Sequence, residues 1–133
     1  MEGESVRRRM GAREYDLADR LVDYVAAVIA LTESLPQSRA GNHVASQLLR
    51  SGTSPAPNYG EAEAAESRKD FLHKMGICLK ELRESRIWLR IIARRKLLSD
   101  AELAPILAET EELIRIFSAS IATAKRNSSA GTN

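Results

Sequence analysis

Basic residues are the first feature of this sequence that could do chemistry, and they concentrate between residues 68 and 96. That segment holds ten Lys and Arg residues against Asp70, Glu81 and Glu84. If the segment is helical, five of the ten fall within a sector of about 80° of its surface, at about 100° per residue. These five residues, called the basic stripe below, are Lys69, Lys80, Arg83, Arg90 and Arg94. Such a stripe could follow nucleic-acid phosphates, which attract Lys and Arg whatever the base sequence.

A bland interpretation of the basic stripe stays open beside the nucleic-acid one. No aromatic residue is interleaved with the stripe, so a platform that stacks single-stranded bases is not expected. An exposed charged face is commonly neutralised by acidic neighbours. The candidates for that pairing are Glu61, Glu63, Glu66, Glu109, Glu111 and Glu112. A second basic cluster, which we expect in a flexible N-terminal arm of residues 1–13, consists of Arg7, Arg8, Arg9 and Arg13.

The other reactive residue types form no recognisable catalytic or metal-binding motif. His43 and His73 stand alone, outside any paired Glu-x-x-His arrangement of the di-iron bundle type. Asp70 and His73 are one helical turn apart and could share an ion, but a solvated surface is the more usual role of such a pair. Cys78 falls among regularly spaced apolar residues, where cysteine behaves as a small hydrophobic residue. No G-x-x-x-x-G-K phosphate loop is present, and we predict no enzymatic activity, no metal and no cofactor.

Composition places the chain among single-domain helical proteins. It has 133 residues, 44% apolar and 29% charged, with only 5% aromatic residues and a net charge of +2. The balanced charge does not by itself indicate a nucleic-acid binder. The longest fully apolar run, residues 25–31, is far shorter than the roughly 20 residues of a membrane span. With one cysteine and no secretory signal pattern, we expect a cytoplasmic protein without membrane contact.

Three segments carry residues at alternating spacings of four and three, which predicts one buried column on each of three helices. Helix one should begin near Glu14 and end at Pro36; its column is Leu17, Leu21, Tyr24, Val28, Leu31 and Leu35. Helix three should follow Ser67; its column is Phe71, Met75, Cys78, Leu82, Ser85, Leu89 and Ile92. Helix four should start at Ser99 in a capping box with Glu102; its column is Leu103, Leu107, Thr110, Ile114, Phe117, Ile121 and Ala124.

Helix two differs from the others because prolines interrupt it. We expect it to begin at an Asn42 N-cap, and its buried face should be Val44, Ala45, Leu48 and Leu49. Pro55 and Pro57 each remove a backbone donor and clash with the preceding turn, at about 3 kcal/mol in a helix interior. Since the first turn of a new segment tolerates proline, we predict a bent helix whose second half runs from about residue 57 to 65.

These elements predict an all-α protein, an antiparallel up-down four-helix bundle with a proline-kinked second helix. The bundle should cover residues 14–126, and residues 127–133 should form a disordered tail. Asn58 is expected to cap backbone groups freed by the prolines. Glu61 is expected to pair with Arg50 or Arg68.

Residues 50–92 resemble the four-helix-bundle family of the 23S ribosomal-RNA intervening-sequence protein. The matching features include a Ser-Gly-Thr-Ser turn and the residues Asn58, Tyr59, Glu61, Asp70, Phe71, Glu81 and Leu89. The resemblance implies a homo-oligomer, typically a five-membered ring, and no established enzymatic activity. A distant relative, the accessory variability protein of diversity-generating retroelements, binds nucleic acid and a reverse transcriptase.

Trp88, the single tryptophan, lies off the column of helix three by about a quarter turn. Ile77, Ile91 and Glu84 share its side, and tryptophan is enriched in subunit interfaces. The alternative is a tryptophan that packs against a neighbouring helix of its own chain; the family resemblance favours the interface. We therefore predict a non-enzymatic protein that forms homo-oligomers, and the resemblance implies that they are pentamers. The alternative function is RNA binding through the basic stripe, or an accessory role beside a partner protein.

Overall fold

The computed structural model describes residues 16–131, with side chains up to residue 127. The N-terminal arm, the predicted helix start at Glu14 and residues 132–133 lie outside the described residues. Within them the chain is helical, without strands, in five segments. These segments are α1 (Leu17–Glu33), α2 (Arg39–Thr53), α3 (Pro55–Glu63), α4 (Arg68–Arg95) and α5 (Asp100–Gly131). The predicted all-α four-helix bundle is confirmed, with α2 and α3 as the two halves of helix two.

α2 and α3 continue in one direction as the two halves of helix two, and the chain reverses direction at its other three turns, so α1 and α4 run parallel to each other and antiparallel to their neighbours. α1 packs against α2, α3 and α5 but not against α4, which places α1 and α4 at opposite corners of the bundle. The predicted columns supply most of the core. The side chains that are at most 2% exposed include Leu21, Tyr24, Val28, Leu48, Met75, Cys78, Leu82, Leu89, Ile92, Leu103, Leu113 and Phe117.

Two details of the buried face differ from the prediction. Leu49 is 40% exposed instead of buried, because the inward face of α2 continues from Leu48 to Ser51 and a residue next to Leu48 is turned by about 100°. In α5, Leu107 of the predicted column is only partly buried, whereas Leu113, an apolar residue expected to flank that column, is fully buried. Since α5 contacts both α1 and α4, its buried face is wider than one column.

Helix starts are fixed by side-chain caps. The Ser67 hydroxyl accepts a hydrogen bond from the Asp70 amide at 3.0 Å. Ser99 and Glu102 form the predicted reciprocal capping box, with distances of 2.8 and 3.0 Å. The Asn42 cap is wrong: Ser38 is extended and its hydroxyl accepts from the third residue of α2 at 3.0 Å. The N-cap of helix two therefore lies four residues earlier than predicted, because Ser38 already supplies a capping hydroxyl before Gly41.

The predicted bend of helix two is present at Ser54. This residue keeps helical dihedral angles (φ −66°, ψ −37°) between α2 and α3, so the chain bends without unwinding into a loop. α3 starts at Pro55, two residues earlier than expected, because two prolines fit in the first turn of a helix. The Asn58 side-chain amide donates to the carbonyl and hydroxyl oxygens of Ser54 at 3.0 and 2.9 Å. Asn58 thus bonds locally at the bend, but not to a carbonyl oxygen that the prolines free, because the Ser54 carbonyl also accepts from the Asn58 backbone amide at 3.2 Å.

The last helix continues beyond residue 126, where the bundle was predicted to end. α5 continues to Gly131, so the backbone of residues 127–131 is helical. No proline or glycine interrupts the chain between residues 106 and 130, and a helix has no local reason to stop there. Disorder of the final residues stays a prediction.

α2 passes closest to α1 just before the bend. A Cβ atom at Gly52 would lie 2.8 and 2.9 Å from the two Cγ atoms of Val28, distances too short for carbon atoms. Next to it, Ser51 and Ser85 of α4 share a buried hydrogen bond of 2.8 Å. Gly76 lies in the interior of α4, and a Cβ there would meet nothing within 4 Å.

The two glycines predict opposite effects of alanine. Gly52→Ala should lower the free energy of unfolding by about 1 to 3 kcal/mol, because the stiff Val28 side chain cannot move aside. Gly76→Ala is the matched control and should raise it by about 0.5 to 1 kcal/mol through helix propensity. Urea unfolding followed by circular dichroism at 222 nm measures both. Equal effects of the two substitutions would contradict the close approach.

Candidate functional site

The basic stripe is an exposed surface of α4. Its five side chains are all exposed and lie on the side of the helix away from the buried column. None of them takes part in an ion pair within the described residues. The stripe therefore presents its positive charge to solvent in the isolated chain.

The α5 carboxylates that were candidates for neutralising the stripe form ion pairs with other cations. Glu109 of α5 accepts two hydrogen bonds from Arg20 of α1, at 2.6 and 2.9 Å. Glu111 pairs with Arg86 on the flank of α4 at 3.0 Å. The bland interpretation of the stripe is therefore not supported within one chain, because the acidic groups of α5 are engaged by other residues.

The four remaining candidate carboxylates do not pair with the stripe either. Glu112 pairs with Arg115 one turn along α5 at 2.6 Å, and this contact lowers the pKa of the Glu112 carboxyl. Glu61 pairs with Lys74 at 2.7 Å, so the expected partners Arg50 and Arg68 are wrong. The reason is the bend, which lays α3 along the first turns of α4. Glu63 and Glu66 are exposed, and neither forms an ion pair with the stripe.

Trp88 is half-buried against the core and contacts α2 of its own chain. Its ring meets that of His43 edge-to-face, with centroids 5.9 Å apart, and its Nε1 donates to Glu84 at 3.1 Å. Glu84 also forms an ion pair with Arg50 of α2. These contacts correspond to the intrachain alternative for the indole, and the interface role of Trp88 and Glu84 stays a prediction.

Of the other predicted interface residues, Ile91 is 36% exposed and Ile77 is partly buried. Ile91 lies one turn from Ile87, which is 48% exposed within the sector of the basic stripe. A second exposed pair lies on α1, where Val22 and Ile29 are 59% and 40% exposed. Ile87 and the α1 pair were not predicted from the sequence, because the buried columns identify only residues that face the core. Their spacing of seven residues on α1 was the available signal, since it puts both side chains on one helix face.

A groove of about 650 Å³ runs between α1 and α5. Its walls are largely apolar because Ala27, Ala30 and Ile106 line it, and the ion pair of Arg20 with Glu109 lies at its edge. At its base the Tyr24 hydroxyl hydrogen-bonds the Thr110 hydroxyl at 2.7 Å. Burial raises the pKa of Tyr24 to about 12. The groove exists because small alanines face α5 there, a feature that the alanine content of residues 26–30 could have suggested.

Cys78 is completely buried, and its thiol lies 3.5 Å from the Pro55 carbonyl oxygen. Burial raises the pKa of Cys78 from 9.0 to about 12. The thiol is thus protonated near neutral pH, as expected of a core residue. Asp70 and His73 are both exposed, and within residues 16–131 no three His, Cys, Asp or Glu side chains cluster as metal ligands would. Nor does any helix in that range combine the length and apolar character of a membrane span.

The residues of the family resemblance all have structural contacts. Tyr59 meets Phe117 edge-to-face at a centroid distance of 5.9 Å, and Leu89 is fully buried. Phe71 packs against the core, and Glu81 pairs with Arg50 at 3.3 Å. With Asn58, Glu61 and Asp70 described above, these residues define the bend and the junction of α3 with α4.

An antiparallel four-helix bundle with a bent second helix is therefore the class of protein that fold and surface define. The chain belongs to the 23S rRNA-intervening sequence protein family, whose sequence model matches residues 13–119. A similar solved structure is that of a protein of unknown function from the S23 ribosomal protein family of Bacteroides thetaiotaomicron. It is 29% identical and superposes with a TM-score of 0.75 over 80% of this chain and 98% of that one. No curated protein matches the chain.

The buried thiol predicts a chemical test. The increase in the pKa of Cys78 from 9.0 to about 12 lowers the thiolate fraction at pH 8 by roughly 1,000-fold. We expect the native protein to react with a disulfide reagent at least about 100-fold more slowly than the protein in urea. Absorbance of the released chromophore measures both rates. Equal rates would show that Cys78 is accessible and that α3 does not cover it.

Proposed function

We propose that this protein is a non-enzymatic bundle that assembles with copies of itself into a homo-oligomer. Five subunits is the number that the family resemblance implies, and a cytoplasmic location accords with its buried free thiol. The observation that supports assembly is the pairing of exposed large apolar side chains. Val22 and Ile29 lie on one face of α1, and Ile87 and Ile91 on one face of α4.

Single exposed apolar residues are ordinary on protein surfaces. Here two such residues share one helix face, and this occurs at two corners of the same small bundle. Each pair provides an apolar surface that association can cover. Burying such a side chain contributes about 1.5 to 3 kcal/mol when the burial is complete. Since these residues are already partly covered, the gain from each is smaller, and a stable complex needs both pairs and their surrounding polar contacts.

Self-assembly predicts the mass in solution. Light scattering coupled to gel filtration, at micromolar concentration, should give a mass several times the 14.7 kDa of one chain. Replacing Val22 and Ile29 with serine should shift the distribution toward monomer, while circular dichroism retains the helical signal. Ala104→Ser and Ala122→Ser, at exposed positions of α5, serve as a control. A monomeric wild-type protein under these conditions would contradict the proposal.

A second candidate function is RNA binding through the basic stripe, alone or beside a partner protein. The specific observation in its favour is that the five stripe cations are exposed and take part in no ion pair among the described residues. Such cations can replace the counterions around phosphates, which supplies affinity without base specificity. The stripe cannot at the same time bind RNA and be covered by another chain, so the two candidates compete for it.

The RNA candidate predicts a salt-dependent retention that charge reversal removes. Replacing Arg83, Arg90 and Arg94 with glutamate should abolish binding to RNA at low salt, measured by fluorescence anisotropy of a labelled strand. A control with the same charge change replaces three exposed cations away from the stripe, namely Arg39, Lys125 and Arg126. Binding that both triple variants lose equally would show general attraction instead of a site. A pull-down that recovers a protein after nuclease treatment would favour the accessory role.

A further inference from the structure

The outer surface of α1 combines exposed apolar and acidic residues. Val22 and Ile29 share about 80° of the helix surface with Asp19 and Glu33, both exposed. Neither carboxylate forms an ion pair within residues 16–131. We call Asp19, Val22, Ile29 and Glu33 the α1 outer face.

The outer surface of α4 has the same design with the opposite charge. Ile87 and Ile91 lie among stripe cations in a sector of about 80°. These side chains are exposed, and the cations among them lack ion-pair partners in the described part of the chain. The α4 outer face consists of Lys80, Arg83, Ile87, Ile91 and Arg94.

We infer that the α1 outer face of one copy binds the α4 outer face of the next. The inference rests on the proposed self-assembly and names the surfaces that carry it. Each face offers apolar side chains flanked by charges of one sign, and the two signs are opposite. Because charged groups in an interface are arranged so that their potentials are complementary, each face is the partner that the other lacks.

The positions of the two faces determine the symmetry of the assembly. α1 and α4 occupy opposite corners of the bundle, with no Cα atom of one within 8 Å of a Cα atom of the other, so their outer faces point to opposite sides of the chain. One copy therefore cannot bring its own two faces together. Different surfaces that meet between copies form a head-to-tail interface, which closes into a ring when the rotation between copies permits.

The heights of the residues along the bundle are compatible with such a ring. α1 and α4 run parallel, and both are tied to the same turn of α2. Gly52 lies against Val28, and the adjacent Ser51 bonds Ser85. Rotation about an axis along the bundle keeps each residue at its own height, so Ile29 of one copy lies near the level of Ile87 in the next.

Charges then follow in matching order above and below the isoleucines. At about 1.5 Å per residue, Glu33 lies about 6 Å beyond Ile29, and Arg94 lies about 10 Å beyond Ile87. Toward the other end of the bundle, Asp19 lies about 15 Å below Ile29. Lys80 lies about 10 Å below Ile87. Long cationic side chains readily span the remaining offsets of one helical turn.

Charge reversal on each face tests this arrangement. One variant carries Asp19→Lys and Glu33→Lys, so both of its faces are basic. The other carries Lys80→Glu, Arg83→Glu and Arg94→Glu, which makes the α4 outer face predominantly acidic. Each variant alone should fall to the 14.7 kDa mass of one chain in light scattering, because like charges face each other. An equimolar mixture should recover an oligomer that contains both chains, because the basic α1 outer face of the first variant meets the acidic α4 outer face of the second. Since an odd-numbered ring cannot alternate throughout, the mixture should form open chains or even-numbered rings instead of a closed pentamer.

Rescue in the mixture separates loss of the interface from loss of the fold. Asp19 lies in the first turn of α1, where a lysine opposes the helix dipole, so circular dichroism and the Tm of each variant are recorded as well. Glu66→Lys and Lys125→Glu, at exposed positions outside both faces, are the control reversals and should keep the wild-type mass.

The remaining outcomes each overturn the inference in a distinct way. A monomeric wild-type protein removes the proposed function and this interface together. A wild-type oligomer whose mass survives both reversals leaves the proposed function standing and shows that other surfaces form the contact. Loss of RNA binding by the α4 variant, with its oligomer mass unchanged, assigns the basic stripe to nucleic acid instead.

Discussion

The passage of α2 between α1 and α4 at Ser51 and Gly52 is the constraint on which the rest of the bundle depends. The missing side chain of Gly52 lets Val28 approach closely, and the small Ser51 reaches Ser85 across the core. A larger residue at either position would push α2 away from α1 or from α4. The bend follows immediately at Ser54, since prolines that could not be accommodated inside the helix fit the start of α3. The close approach of α2 to α1 and the change of direction are therefore neighbours in the sequence.

The bend also decides which charges remain at the surface. It lays α3 along α4, so that Glu61 meets Lys74 and the Pro55 carbonyl oxygen covers the Cys78 thiol. The inward and flanking sides of α4 are thereby occupied by core and by intrachain ion pairs. What is left is the outward side, where cations and isoleucines alternate without partners among the described residues. Because exposed intrachain pairs contribute about 1 kcal/mol or less, the pairs seen on the flanks orient side chains more than they stabilise the fold.

Periodicity predicted the parts of this structure that depend on one helix at a time. Apolar columns, the Ser99 capping box and the interruption at Pro55 each follow from local spacing or local backbone chemistry, and all are present. Features that depend on two helices could not be predicted in the same way. The partner of Glu61, the contact of Trp88 with His43, and the groove beside Ala27 depend on how far each helix is rotated and displaced against its neighbour. The prediction of an Asn42 N-cap was wrong for a different reason: Ser38, four residues earlier in the chain, supplies an equally good cap.

The near-neutral total charge conceals a strongly polar arrangement. Acidic groups without ion-pair partners in the described residues lie on α1, cationic ones lie on α4, and the bundle holds these corners apart. A chain built in this way has unpaired charge of both signs, whatever its net charge. The acidic corner of one copy is complementary to the cationic corner of another copy. Nucleic acid could satisfy only the cationic corner and would leave the carboxylates and apolar side chains of α1 in solvent. Two neighbouring copies, one at each corner, would satisfy both charges and cover the apolar side chains as well, which is why the charge pattern favours assembly over RNA as the partner of the basic stripe.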